Sequence, residues 1–127
     1  HRVANFTQYG KTVWNSGSVG CPLNGQSKAE FMILHSKDKQ WEVEFVILDY
    51  DVETVIKEMR EKSFYETAPF WTQVSEQLLR GGTVAHGTAL NRAMELCQIK
   101  YGECRWPRIP EECWQQACEE LLHNRKS

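Results

Sequence analysis

Long apolar stretches are missing from this sequence. No run approaches the roughly 18 consecutive apolar residues that a membrane-crossing helix needs, and no charged-then-apolar leader is present. The chain also has no internal repeat, low-complexity tract or proline-rich linker, so nothing in it marks a repeat array or a second domain. These absences predict a protein without a membrane-crossing helix. We expect it to reside in the cytoplasm, with secretion as the alternative.

An excess of charge of one sign is also missing. The 127 residues carry 15 Lys and Arg against 17 Asp and Glu, a formal net charge of −2, and both signs are mixed along the chain. Binding nucleic acid through its phosphates needs clustered basic residues, so this partner is disfavoured. A helix-turn-helix around Gly81-Gly82, with Asn91 and Arg92 as base readers, is disfavoured because its connection is long and its helices lack a basic cluster.

Recognisable catalytic and cofactor-binding motifs are lacking. The sequence contains no G-x-S-x-G nucleophile elbow and no Lys-Ser/Thr after its paired glycines to complete a P-loop. Asp49-Tyr50-Asp51 follows an apolar strand and is typical of strand termination and helix capping rather than of a Mg²⁺ site. We therefore predict no catalytic residue, no metal and no cofactor. The alternative is a hydrolase-type enzyme that uses His35 or His86 with Asp49 or Asp51.

The five cysteines are an odd number, so they cannot all pair in disulfides. Cys97, Cys113 and Cys118 fall on apolar stripes of predicted helices, where reduced cysteine packs as a small hydrophobe. The spacing of Cys113 and Cys118 fits a zinc loop, but on a helix the two sulfurs point in different directions. We infer a reducing compartment, with two disulfides and a free thiol in a secreted protein as the alternative. Cys104 lies in a loop beside two arginines and is the candidate reactive thiol.

Strand signals precede helix signals in this chain, and that order predicts an α+β fold rather than alternating βαβ units. Residues 1–127 are expected to form a single domain, with residues 1–50 mainly strands and loops and residues 51–127 mainly helices. We predict a small antiparallel sheet from the N-terminal half packed against three or four C-terminal helices.

Two hairpins are predicted in the first half. Short strands around Val3–Gln8 and Lys11–Asn15 can pair across Tyr9-Gly10. A second pair of strands lies within residues 28–50, with a polar turn near residues 36–40. Both pairs are antiparallel because their connections are short.

The last predicted strand has a two-residue period. One face carries Glu42 and Glu44, and the opposite face is apolar. The apolar face consists of Trp41, Val43, Phe45 and Ile47. We expect this face to be buried as the floor beneath the helices.

Four helices are predicted in the second half from apolar residues at helical spacing. The first starts at Asp51, and the second starts at Thr67 and ends at Gly81-Gly82. The third ends before Gly102, and Pro110 opens the fourth. The apolar stripe of the third helix consists of Leu90, Ala93, Met94, Cys97 and Tyr101.

Aromatic residues are abundant, with five Trp, four Tyr and five Phe. The cluster Arg105-Trp106-Pro107-Arg108 combines two residue types enriched at binding hot spots with a proline that stiffens the loop. Other aromatic and cationic side chains that can stack on a planar ligand or pair with an anion lie elsewhere in the chain. We predict as binding residues Arg105, Trp106, Arg108, Arg92, Trp14 and Tyr9. In the alternative interpretation, Trp106 packs beneath its own loop and anchors the fourth helix.

No motif in the sequence resembles that of a known family, so the functional hypotheses rest on these residues. The leading hypothesis is a small non-enzymatic binding protein that acts on a protein partner, such as an accessory or inhibitor protein of a phage or mobile element, and that forms a homo-oligomer. The alternative is a protein that binds a nucleotide or another anionic small molecule through the same Arg and Trp loop, with the Gly81-Gly82 turn as a further contact. The hydrolase-type enzyme is the third hypothesis.

Overall fold

The computed structural model of the chain describes residues 3–21 and 23–123. Strands occupy the N-terminal half and helices the C-terminal half, so the predicted α+β fold is confirmed. We call the two compact units of the chain the strand unit and the helical unit. The strand unit comprises His1–Val52 with Leu78–Thr83, and the helical unit comprises Glu53–Gln77 with Val84–Ser127. The single domain predicted for the whole chain stays a prediction.

The first hairpin of the strand unit pairs β1 (Val3–Gln8) with β2 (Lys11–Ser16) in an antiparallel register, as predicted. Its two-residue turn consists of Tyr9 and Gly10, whose φ angles are 53° and 69°. Positive φ at both central positions gives the turn that matches the twist of a two-residue hairpin. Glycine adopts this conformation freely, whereas Tyr9 adopts it at some cost in free energy.

The second hairpin pairs β3 (Lys28–Lys37) with β4 (Gln40–Asp49), and its turn lies within the predicted residues 36–40. Asp38 and Lys39 form that turn with φ angles of 49° and 65°, the same type as in the first hairpin. The four strands make two separate two-stranded sheets rather than one sheet of four strands.

The expected burial of the apolar face of β4 is wrong. Trp41 is 61% exposed, and Phe45 and Ile47 are also exposed. The buried residues of this hairpin are Ala29 and Glu30, near the start of β3. The two-residue period determines which side chains share a face, but it does not determine whether another element covers that face.

Within residues 3–21 and 23–123, five α-helices follow the strands, one more than predicted. The additional helix is short, and Ser63, with a φ of 58°, immediately precedes it. The other helices begin and end where proline and glycine predict, since Pro110 caps the last one and Gly102 ends the one before it. Among the described residues, no helix is long and apolar enough to cross a membrane. The helices are α1 (Val52–Glu61), α2 (Phe64–Thr67), α3 (Pro69–Leu79), α4 (His86–Tyr101) and α5 (Glu111–Cys118), and a π turn (Glu119–His123) continues α5.

α4 and α5 supply the core of the helical unit, and small residues on both helices allow a close approach. Tyr101 was predicted on the buried stripe of α4 but is 48% exposed. It is the last residue of α4, and its hydroxyl donates a hydrogen bond to the carboxylate of Glu112 at the surface. The buried cluster between α4 and α5 consists of Ala93, Leu96, Cys97, Cys113 and Ala117, with Cys104, Ile109 and Trp114 packed against it, and Ile56 of α1 and Val74 of α3 are buried as well.

Candidate functional site

The predicted Arg105-Trp106-Pro107-Arg108 cluster forms a tight turn between α4 and α5. Arg105 and Arg108 lie opposite each other in an antiparallel bridge, and the N–H of Arg108 donates to the carbonyl of Arg105 over 2.7 Å. The peptide bond between Trp106 and Pro107, at the tip of the turn, is cis. The tip is exposed, and Trp106 is 59% exposed. The interpretation that packs Trp106 beneath its own loop is therefore wrong.

Both sides of this turn are attached to the core of the helical unit. Cys104 on one side and Ile109 on the other pack against the buried residues of α4 and α5. The thiol of Cys97 donates to the carbonyl of Glu103 over 3.6 Å, which ties the chain just before the turn to α4. The turn therefore presents Trp106 from an anchored base rather than from a long unattached loop.

The exposed tip borders an apolar cavity of about 370 Å³, which we call the tryptophan hollow. Its volume lies within the range of small-ligand sites. Three of its lining side chains are tryptophans from different segments, and of these Trp71, from α3, is 43% exposed. The residues that line the tryptophan hollow are Ala68, Pro69, Phe70, Trp71, Trp106, Pro107, Ile109, Glu111 and Trp114.

The tryptophan rings of the hollow stand at a steep angle to each other. The centroids of Trp71 and Trp114 are 6.2 Å apart, and their planes meet at 78°, an edge-to-face arrangement. Trp71 also lies against His86, with centroids 4.3 Å apart and an interplanar angle of 32°. Trp71 is therefore held by two rings, which limits the rotamer freedom that it would lose on binding.

His86 is itself held in place by polar contacts. Its Nε2 lies 2.8 Å from the Oγ of Ser75, and Ser75 Oγ in turn donates to the carbonyl of Trp71 over 3.0 Å. Partial burial lowers the pKa of His86, and a hydrogen bond with the backbone of Trp71 offsets part of that effect. The ring behind Trp71 is therefore neutral at pH 7.

Among the described residues that line the tryptophan hollow, Glu111 is the charged one. It is the first residue of α5, and its side chain is exposed. The part of the chain that the structure describes contains no ion pair of this carboxylate. The tryptophan hollow therefore combines three indole rings with a negative charge.

The two arginines of the turn line a different hollow, of about 340 Å³, which we call the arginine hollow. Directly opposite residues of an antiparallel bridge place their side chains on the same face, so Arg105 and Arg108 point the same way. Arg105 Nη2 lies 3.9 Å from Glu103 Oε2, a loose contact between exposed side chains. The two hollows share no lining residue, so the four-residue turn serves two separate surfaces.

Arg92, also predicted as a binding residue, is engaged by two carboxylates. Its Nε lies 2.6 Å from Glu120 Oε2, and its Nη1 lies 2.6 Å from Glu95 Oε2. These hydrogen bonds raise the pKa of the guanidinium and link α4 to the π turn. Binding of an external anion by Arg92 stays a prediction, and it would have to compete with both carboxylates.

Tyr9 and Trp14 belong to the strand unit. Tyr9 forms the tip of the first hairpin and is 92% exposed, while Trp14 is half-buried in β2 opposite Asn5. Their role as binding residues stays a prediction.

All five cysteines are free thiols, and three of them lie together. Cys97 and Cys113 lie in one buried cluster with Cys104 packed against it, and burial raises the pKa values of Cys97 and Cys113. Cys118, also buried, donates to the carbonyl of Phe70 over 3.8 Å. Core packing is thus confirmed for Cys97, Cys113 and Cys118. Within the described ranges, no group of three or more His, Cys, Asp or Glu side chains could hold a metal ion.

The histidines of the enzyme hypothesis have other partners. His35 Nε2 lies 2.9 Å from Glu44 Oε2 on the exposed second hairpin. Asp49 pairs with Lys28 at the far end of the same hairpin, 3.2 Å between the charged atoms. His35 and Asp49 lie seven residue positions apart along this hairpin, roughly 23 Å at the rise of a strand. His35 and Asp49 therefore do not contact each other in this hairpin. A hydrolase that uses these residues stays a prediction.

The sequence did not indicate most of the tryptophan hollow. Phe70 and Trp71 lie in the second predicted helix, and Glu111 and Trp114 lie in the fourth, and all four line the hollow. One signal was available, because Pro69, Pro107 and Pro110 flank the aromatic residues and keep helices from continuing across them. Nothing in the sequence places α3 beside the turn.

Comparisons with known proteins add no further constraint. The chain matches no protein-family model, no curated protein and no solved structure. The candidate site is therefore defined by its geometry and chemistry alone.

Proposed function

We propose that this chain is a small non-enzymatic binding protein that holds a segment of a protein partner in the tryptophan hollow. The observation that carries the proposal is the exposed position of Trp106 at the mouth of a cavity that two further tryptophans line. Tryptophan and arginine are the residues most enriched at interface hot spots, and this turn supplies both.

The energetics of the site favour binding of an apolar or amphipathic segment. A tryptophan buries on the order of 150–250 Å² when covered, so covering Trp106 and Trp71 removes a large apolar area from water. The turn is anchored by Cys104 and Ile109, and Trp71 by its neighbouring rings, so little conformational entropy is lost when a partner binds.

The broader features of the hypothesis stay proposals. They are a role as an accessory or inhibitor protein, such as those of phages and mobile elements, a cytoplasmic location, and a homo-oligomeric state. A homo-oligomer would follow the common pattern in which identical subunits assemble around a two-fold axis, and it would be separate from the partner held in the tryptophan hollow.

A second candidate function is the binding of a nucleotide or another anion in the arginine hollow. The observation that favours it is the antiparallel bridge that aligns Arg105 and Arg108 on one face. Two guanidinium groups on one face suit a phosphate or carboxylate, which each can bind by bidentate hydrogen bonds. Shifts of the Arg105 and Arg108 Nε–H resonances of wild type with inorganic phosphate, together with loss of the Arg105 shift in Arg108→Gln, would support it.

The proposed function is tested by two matched tryptophan substitutions. Trp106 and Trp41 are almost equally exposed, 59% and 61%, but only Trp106 lines the tryptophan hollow. We expect Trp106→Ala to lose a partner that wild type captures by proximity cross-linking in its native cell, because the hot-spot contact is removed. Trp41→Ala is expected to retain the same partner.

Trp106→Ala should keep the circular-dichroism spectrum and the unfolding midpoint of wild type, since the side chain is not buried, and Trp41→Ala should keep the spectrum. Capture of the same partners by Trp106→Ala and by wild type would overturn the proposed function. Loss of a partner with Trp41→Ala alone would move the interface to the strand unit.

A further inference from the structure

We propose that the tryptophan hollow recognises an alkylammonium group, such as the side chain of a lysine or methylated lysine on the partner, with Glu111 as its counter-charge. This inference rests on the proposed function and specifies the chemistry of the bound group. It follows from the ring geometry of the hollow, from the single charge in its lining, and from the pairing of the nearby basic residues.

The ring geometry suits a cation. The faces of an aromatic ring carry negative electrostatic potential, and tryptophan has the strongest attraction for an ammonium group among the aromatic residues. Trp71 and Trp114 meet at 78°, so they present differently directed ring surfaces to the same cavity. Trp106 adds a third indole from the turn. Several aromatic rings around one small space form the arrangement that recognises quaternary ammonium groups.

The charge of the lining also favours a cation. Glu111 supplies a carboxylate to the lining of the hollow, and none of the lining residues that the structure describes is basic. An anion would meet both that carboxylate and the negative ring faces, so it is disfavoured. A neutral aliphatic group would fill the space but leave the carboxylate without a partner of opposite charge.

The basic residues on the neighbouring elements face other groups in the described part of the chain. Lys100 lies 2.8 Å from Glu112, and Arg92 is held by Glu95 and Glu120. The arginines of the turn line the arginine hollow. The negative potential of the tryptophan hollow is therefore not cancelled by an ammonium or guanidinium group in its own lining.

The test compares two small molecules of the same shape. Choline carries a trimethylammonium group, and 3,3-dimethyl-1-butanol carries a tert-butyl group in its place. Binding to full-length protein is followed through the indole N–H resonances in ¹H–¹⁵N spectra. We expect choline to shift the resonances of Trp71, Trp106 and Trp114, and to bind about tenfold more tightly than the neutral analogue, which corresponds to about 1.4 kcal/mol.

Two glutamate substitutions separate the counter-charge from the general charge of the protein. Glu111→Gln keeps the size of the side chain and should weaken choline binding several-fold while leaving the neutral analogue unchanged. Glu119→Gln makes the same change of net charge at an exposed residue just beyond α5 that does not line this hollow, and it should leave both ligands unchanged. Trp106→Leu should weaken the binding of choline more than that of the neutral analogue. The leucine side chain is apolar, but it lacks the negative electrostatic potential of the indole face.

The outcomes keep this inference separate from the proposed function. Equal affinity for the two molecules, or equal loss of both with Glu111→Gln, would overturn the ammonium specificity and leave a purely apolar site. Absence of choline binding while Trp106→Ala still loses its partner would also overturn it and leave the proposed function standing. Retention of the partner by Trp106→Ala would overturn the proposed function itself, whatever choline does.

Discussion

At the scale of single residues, the protonation of His86 depends on the groups that surround its ring. His86 lies at the N-terminus of α4, partly buried against Trp71, with its Nε2 bonded to Ser75. Burial and the positive end of a helix both disfavour an imidazolium ion. The neutral ring stacks on Trp71 and supports the wall of the tryptophan hollow.

The pH dependence of this residue is predictable in sign. The pKa of His86 is lowered from its ordinary value near 6.5 in the folded protein, so the unfolded chain takes up the proton first as pH falls. The stability linked to His86 is therefore fully present above pH 6.5 and decreases as pH falls from there through the lowered pKa. We expect an NMR titration midpoint of the imidazole below 6.5, and a fall in unfolding midpoint over the same pH range.

His86→Gln should reduce this decrease, because it removes the titrating group. A titration midpoint of His86 at or above 6.5 would contradict the argument.

At the scale of elements, the contact between α4 and α5 holds the functional turn. Ala93 on α4 and Ala117 on α5 are fully buried, and Cys97 and Cys113 lie beside them. Small residues at these positions let the two helices approach closely. The turn between the helices is attached to the same core, so its conformation depends on this packing.

Enlarging a residue in this contact should therefore destabilise the helical unit. We expect Ala117→Leu to lower the free energy of unfolding by about 1–3 kcal/mol, because a close-packed interface cannot accept the added methyl groups without strain. Gln115→Leu, two positions away on the exposed face of α5, should change it by no more than about 0.5 kcal/mol.

Urea denaturation followed by circular dichroism measures both variants. If Ala117→Leu were as stable as Gln115→Leu, the contact between α4 and α5 would be looser than its burial indicates. The same variant is expected to alter the indole resonance of Trp106, because the turn and the contact share Cys104 and Ile109 as neighbours.

At the scale of the whole molecule, large apolar surfaces remain uncovered. The face of β4 that carries Trp41, Phe45 and Ile47 is exposed, and Leu34 on the paired strand is exposed beside it. A two-stranded ribbon has two unpaired edges and is only marginally stable by itself. Apolar patches of this kind on monomers usually mark a surface that another molecule covers.

We expect two copies of the chain to associate through this face of the second hairpin. Burial of the same face on each copy around a two-fold axis would remove the apolar side chains from water and stabilise the ribbon. Sedimentation equilibrium should show a dimer whose fraction increases with protein concentration, and the double substitution Trp41→Ser and Phe45→Ser should shift the equilibrium to the monomer.

The variant Trp106→Ala serves as the control here. Trp106 lies in the helical unit, so this variant should dimerise like wild type. A wild-type protein that stays monomeric at millimolar concentration would contradict the prediction, and a dimer lost only with Trp106→Ala would transfer the contact to the tryptophan hollow.

Local signals predicted most of the elements of this fold. Tyr9-Gly10 and the polar turn near Asp38 placed both hairpins, and Gly102 and Pro110 placed the ends of α4 and α5. Each of these residues acts on its own backbone or on the next turn, so its effect can be inferred without knowing the rest of the chain.

The candidate site was predicted only in part. The sequence indicated Trp106 and its two arginines as exposed binding residues, because all three lie in one short loop. It did not indicate that Trp106 and the arginines line separate hollows, nor that Trp71 lies beside the turn. Those facts depend on contacts between residues that are far apart in the chain.

The sequence by itself determined the order of strands and helices, the positions of their turns and the presence of a stiff Trp–Arg turn, because these depend on backbone preferences within a few residues. Only the tertiary structure decided that the apolar face of β4 stays exposed and that three tryptophans and Glu111 surround one cavity. Periodicity states which side chains share a face, whereas the packing of distant segments decides what covers that face.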